Sequence, residues 1–175
     1  MTLYYKPLGP ASSPAPLIVL TALHSLRAMT PAKDFIATST ITVDAPGMKV
    51  WSALVSPDAI KQYMFGATVI SEWKEGSAIV WKGEWKGKPY EDKGVILRST
   101  PGRVLCYTHF SPLAGLPDQP ENYHTVTMEL SPDGAHTRVT LSQNNNPTDE
   151  TRQESEKNWG MMLAALKQYV EGRHA

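Results

Sequence analysis

The stretch Ala78–Gly94, AIVWKGEWKGKPYEDKG, decides how this chain is read. Trp81 and Trp85 are four residues apart, a spacing that puts both indoles on one face of a strand and equally suits one face of a helix. The glycines settle the choice. Gly83, Gly87 and Gly94 would each cost a helix interior about 1 kcal/mol relative to alanine, and Pro89 would cost about 3 kcal/mol. The stretch therefore predicts a hairpin. Its first strand runs from Ala78 to Trp85, its turn uses Lys86, Gly87 and Lys88, and its return strand passes from Tyr90 through Val95, Ile96 and Leu97. Ile79, Trp81 and Trp85 share one face and Lys82, Glu84 and Lys86 the other, the pattern of a sheet with one wet and one covered side. The pattern leaves open whether a solid core or a ligand cavity covers the indoles.

Working outward, short β-rich segments surround the hairpin. Phe35 to Val43 (FIATSTITV) alternates and is rich in β-branched residues, which predicts a first strand. Further strands are expected at Thr68 to Trp73, Arg103 to Phe110, Tyr123 to Leu130 and Thr137 to Gln143, and the return strand of the hairpin should reach Ser99. Turn signals separate them at Glu75-Gly76, Pro101-Gly102 and Ser131-Pro132-Asp133-Gly134. Short connections make neighbours antiparallel. Ser111 to Asn122 (SPLAGLPDQPEN) is longer than a hairpin needs and resembles a lid.

Two short helices are expected after the first strand. Pro46 suits a first helical turn, with Val50, Trp51 and Leu54 at helical spacing. Ser56-Pro57-Asp58 supplies a second start: a hydroxyl cap, a proline at the first position and an acid near the positive end of the dipole. Helices this short need tertiary support, so Trp51, Leu54, Ile60 and Tyr63 should be buried. A long helix is predicted from Thr148 to Glu171, its apolar stripe being Trp159, Met162, Leu163, Leu166, Tyr169 and Val170. It is the one element long enough to cover a sheet face.

Composition narrows the function classes. The 175 residues carry 17 basic and 17 acidic side chains, so no overall field draws the chain to nucleic acid or an anionic membrane. Cys106 is the only cysteine, which excludes a disulfide framework and a cysteine zinc cluster and makes a cytoplasmic setting the default. No apolar run reaches the roughly 20 residues of a membrane span. The first 33 residues read as a peripheral or poorly ordered extension that contains a candidate second start at Met29, and residues 34–175 as the domain.

The segments ITVDAPGMKVWSALVSPDAIKQYMFG, WKGEWKGKPYEDKG, NYHTVTMEL and SEKNWGMMLAALKQYVEG, in that order, resemble the SRPBCC or START-like superfamily. Within it they are most similar to the branch of homologues of the activator of the heat-shock-protein-90 ATPase. The resemblance implies an α+β helix-grip fold: a curved seven-stranded antiparallel sheet, two short helices after strand 1, and a long C-terminal helix across the sheet with a hydrophobic cavity between. It also implies a small-molecule carrier, a cyclase- or hydrolase-like enzyme, or a chaperone-contacting module. The eukaryotic namesake stimulates the chaperone with an added N-terminal domain, for which the arm here is too short, so chaperone contact is the least favoured of the three. A shared fold does not supply a shared reaction.

Alternation places Leu105, Tyr107 and His109 on one strand face, Val126, Met128 and Leu130 on another, and Val139, Leu141 and Gln143 on a third, with Met162 and Leu166 opposite on the helix. The cavity candidates are therefore Trp81, Trp85, Tyr107, His109, Val126, Met128, Gln143, Met162 and Leu166, a set that suits an adaptable apolar pocket and an ordinary core alike. His109 and Gln143 are the polar members able to orient a ligand. For proton transfer the available groups are His109, His124, Asp92, Glu84 and Tyr107, without a recognised catalytic constellation. No nucleophile elbow, P-loop, dinucleotide fingerprint or HExxH pair calls for a cofactor or metal. Convergence of His109 and His124 with Asp118 or Glu121 on a metal is not demanded by their spacing. Lys82, Lys86, Lys88 and Lys93, interspersed with Glu84, Glu91 and Asp92, read as a solvated strand face.

Overall fold

The computed structural model describes residues 35–85 and 87–172, with Trp85 described by its backbone alone. The N-terminal extension, Lys86 of the hairpin turn and the side chain of Trp85 thus lie outside the described residues.

The first strand, β1 (Phe35–Val43), leads into α1 (Gly47–Leu54) and α2 (Pro57–Tyr63). The Ser56 hydroxyl accepts from the Ala59 amide with Pro57 at the first helical position, so the expected start signal is realised. Both helices are pinned as their length requires: Trp51, Leu54, Ile60 and Tyr63 are all buried. Five strands follow after β2 (Thr68–Ser71): β3 (Ala78–Trp85), β4 (Lys88–Thr100), β5 (Val104–His109), β6 (His124–Asp133) and β7 (His136–Asn146). The chain closes with α3 (Asp149–Val170).

All neighbours in the seven-stranded sheet are antiparallel, in the order β1-β7-β6-β5-β4-β3-β2. The first strand thus joins the last, and α3 returns across the curved sheet to give the helix-grip arrangement. Thr148 and Thr151 form a reciprocal cap, and Asp149 and Glu150 lie at the positive end of the helix dipole. Leu163 and Leu166 are fully buried against the sheet core of Ile79, Leu105, Val126 and Leu141. Along β1 the helix is tied by polar contacts: the Ser39 hydroxyl donates to the Glu156 carbonyl at 2.9 Å, and the Asp44 amide donates to the Glu171 carboxylate at 2.7 Å.

Several boundaries differ from expectation, β7 for instance running on to Asn146, and three of the differences have local reasons. β2 stops at Ser71 because Trp73 takes a left-handed φ of 59°. β6 continues through Pro132 and Asp133, with Asp133 opposite His136, so the expected four-residue turn contracts to Gly134 and Ala135. Pro132 lies beyond the last β5 pairing, in a two-stranded ribbon where a missing N–H is tolerated. At the hairpin, Trp85 pairs with Lys88, so Lys88 belongs to the return strand rather than the turn.

Candidate functional site

One end of the grip is open. The end of β5, the start of β6, the end of β7 and the inner face of β4 meet the first half of α3 there, around a cavity of about 920 Å³. The connection Ser111–Asn122, which carries two single-turn 3-10 helices at Pro112–Ala114 and Pro120–Asn122, borders it from above. Asn145 on β7 holds this connection, its side-chain amide donating to the carbonyls of Glu121 and Tyr123 at 2.7 and 3.1 Å.

Large apolar side chains gather at the mouth, beside the exposed carboxylates Glu84, Glu121 and Glu154. Of the nine exposed large hydrophobic residues among the described residues, Phe65, Leu113, Leu116 and Met161 line this cavity. Phe65 is 69% exposed and adopts a φ of 54°, a left-handed conformation that costs a bulky L-residue about 1–2 kcal/mol.

The floor is polar. His109 Nε2 lies 3.0 Å from Asp92 Oδ2, and since a carboxylate only accepts, Nε2 carries the proton. The His109 ring stands edge-on to Trp81 at 5.3 Å and stacks on His124 at 6.3 Å, its direct cross-strand partner. His124 Nδ1 lies 3.0 Å from the Asn144 carbonyl and must donate to it, which leaves Nε2 as an acceptor without a partner among the described residues. Burial holds the His124 pKa below the ordinary histidine value; the Asn144 carbonyl opposes this, and the nearby His109 adds to it. Beside them, Gln143 Nε2 donates to Asn146 Oδ1 at 3.1 Å and to Ser155 Oγ at 3.3 Å, and Gln143 Oε1 accepts from Trp159 Nε1 at 2.7 Å.

Of the expected cavity residues, His109, Gln143 and Met162 line this space. Trp81, Tyr107, Val126, Met128 and Leu166 lie in the packed core behind it, Trp81 and Tyr107 with ring centroids 5.0 Å apart. Burial raises the Tyr107 pKa well above the ordinary phenol range, so this hydroxyl stays protonated. Asp92 is a correction: its side chain is 14% exposed and bonded to His109, not part of a solvated charged face. The signal was present, because steps of two from buried Ile96 through Gly94 reach Asp92 and Tyr90 on the inner face. Lys82 and Glu91, by contrast, pair across the outer face at 3.0 Å. Asp118 turns away from the histidines to Lys93 and Tyr123. Among the described residues no cluster of three His, Cys, Asp or Glu side chains is placed to hold a metal ion, and no helix is long and apolar enough to cross a membrane.

Comparison with known proteins places this geometry in context. The family model described as activator of Hsp90 ATPase homolog 1-like protein matches residues 44–171. The solution structure of ChR145 from Cytophaga hutchinsonii is similar at 54% identity and a TM-score of 0.70, over 79% of this chain and 94% of that one. CalU16 from Micromonospora echinospora shares 21% identity at a TM-score of 0.61, over 79% and 85% of the two chains. The Aha1 dimer from Colwellia psychrerythraea shares 19% at a TM-score of 0.63, over 80% and 98%. The latter two speak for the fold alone. Comparison with curated proteins found no match.

Proposed function

The chain belongs to the family of activator of Hsp90 ATPase homolog 1-like proteins, and from that premise we propose that it binds an apolar or amphipathic small molecule at the open end of the grip. The observation that carries the reading is the cavity of about 920 Å³ with exposed large apolar side chains gathered at its mouth and a hydrogen-bonding floor. Its size falls within the range of small-molecule sites, roughly 300–1,000 Å³. Scattered exposed hydrophobic residues need no explanation, whereas a concentration around one concavity is the pattern of a binding surface. Trp159, Met161 and Met162 supply adaptable apolar contact, and His124 and Gln143 supply orientation. Titration with a lipophilic fluorescent probe, read beside native mass spectrometry of the purified protein, tests this. Saturable one-to-one binding that Met162→Trp abolishes is expected; no binding at all would refute it.

A second reading, an enzyme using the same cavity, is favoured by the 3.0 Å contact between His109 and Asp92. A carboxylate that orients an imidazole and stabilises its protonated form is half of a general-base arrangement. Under this reading, Asp92 fixes the Nε2–H tautomer and leaves His109 Nδ1 to take a proton from a bound ligand. Loss of turnover in His109→Ala with unchanged folding would support it, and unchanged turnover would remove that residue from the chemistry.

A further inference from the structure

We infer that the cavity is selective for a ligand with a cationic, hydrogen-bond-donating end, an amine on an apolar body, and that it discriminates against carboxylates. The inference rests on the small-molecule reading above and names the ligand class of that site.

Four observations converge on it. First, the fixed charges on the wall are of one sign: Glu84, Asp92, Glu121 and Glu154 border the cavity, and no lysine or arginine does among the described residues. The chain as a whole is neutral, with 17 basic and 17 acidic side chains, so this is a local segregation. Second, the innermost of these charges is poorly compensated. Asp92 Oδ2 accepts from His109, while Oδ1 is buried with no hydrogen-bond partner. Water does not screen that oxygen, so its field extends into the adjoining space. Even when His109 is counted as the counter-ion of Asp92, the other three carboxylates remain.

Third, His124 presents an acceptor. Its Nδ1–H is committed to the Asn144 carbonyl, which leaves the Nε2 lone pair free for a ligand donor. Burial favours the neutral ring, so the imidazole adds no positive charge to offset the carboxylates near neutral pH. Fourth, Met64, Phe65, Leu113, Leu116, Met161 and Met162 supply an apolar part of the wall, and the other polar side chains of the lining, among them Ser111, Asn122 and Asn158, are uncharged. An ammonium head beside Asp92 and His124 on the floor, with its hydrocarbon body toward the apolar side chains of the mouth and within the field of the exposed carboxylates Glu84, Glu121 and Glu154, satisfies both. A carboxylate head would meet like charge from every fixed charge of the lining and, at His124, an acceptor, a mismatch of the kind that builds specificity.

Three probes sharing one body separate the alternatives: 4-phenylbutylamine, 4-phenylbutanol and 4-phenylbutyrate. Each is titrated into the full-length isotope-labelled protein at neutral pH and low salt, following the backbone amide resonances of residues around the cavity. The amine is expected to bind about 10-fold or more tighter than the carboxylate, with the alcohol between them. Glu154→Gln, on the exposed rim of α3, should narrow the gap by roughly 2-fold, and added salt should narrow it further. Equal affinity for all three, or tighter binding of the carboxylate, overturns the charge selectivity and leaves the cavity reading standing. No shifts around the cavity with any of the three overturn the cavity reading and this inference with it.

Discussion

The indole Nε1 of Trp159 on α3 donates to Oε1 of Gln143 on β7 at 2.7 Å, and this bond crosses from helix to sheet where the packed core gives way to the cavity. Gln143 is 7% exposed, and its amide nitrogen is already engaged by Asn146 and Ser155. The indole is thus the donor that satisfies its oxygen. Trp159→Phe keeps an aromatic ring but leaves a buried carbonyl without its donor, so unfolding free energy should fall by about 1–3 kcal/mol. Urea unfolding measures this. A change within about 0.3 kcal/mol would mean that water reaches Gln143 from the cavity.

Two glycines predict opposite outcomes for the same substitution. A Cβ on Gly94 would lie 1.6 Å from the Thr108 carbonyl oxygen, backbone against backbone, where β4 and β5 cross. Gly94→Ala should therefore cost at least about 3 kcal/mol or prevent folding. At Gly83 the obstacle is the phenol of Tyr90, 2.7–2.9 Å away, the far end of a side chain that lines the cavity. Gly83→Ala should fold and displace the Tyr90 ring, at a cost nearer 1 kcal/mol. Thermal unfolding of both variants, with the tyrosine ring resonances of the second, checks the contrast.

The order of elements along the chain, with its two short helices and covering helix, was legible in the sequence because each element rests on local signals: β-branched alternation, the Ser56-Pro57 start and the apolar stripe of α3. The pairing of β1 with β7, which sets the order of the sheet, joins strands far apart in the chain and carries no local signal. The site was only partly legible. Alternation identifies which face of a strand is inward, but one inner face serves as core in its middle and as cavity wall at its end. Tyr107 and His109 share a face of β5, yet Tyr107 is 3% exposed within the core and His109 lines the cavity. Val126 and Met128 fall in the core for the same reason. Position along the strand decides, and that depends on where α3 crosses the sheet. The pairing of Asp92 with His109 depends on the β4–β5 register, which shifts between Ile96 and Arg98.

His124 links stability to pH. Its pKa in the folded protein is below the 6.5 of an unperturbed histidine, chiefly through burial. The unfolded chain therefore binds a proton more readily than the folded one, and stability should fall as pH drops below about 6.5, until the folded-state pKa is passed. Above that window the residue is neutral in both states and contributes no slope. His124→Asn keeps an amide donor near the Asn144 carbonyl and cannot titrate. The difference in unfolding free energy between parent and variant should be constant from pH 8 to 7 and shrink from pH 6.5 to 5. A constant difference across the whole range would show that His124 titrates alike in both states.

Phe65 presents the sharpest opposition between stability and binding. It follows the C-terminal end of α2 with a φ of 54°, is 69% exposed, and stands at the cavity mouth. Little burial offsets its backbone strain, so an account from stability alone leaves the phenyl ring unexplained. Asparagine tolerates the left-handed region because its short side chain can hydrogen-bond locally. Phe65→Asn should therefore leave stability unchanged or raise it by about 0.5–1 kcal/mol. The same change removes an apolar wall from the site, and loss of a side chain that covers a bound ligand should weaken binding by about 10-fold. Parallel measurement of the melting temperature and the affinity for a lipophilic probe reads both. A variant that is less stable but binds as before would mean that Phe65 serves the fold rather than the ligand.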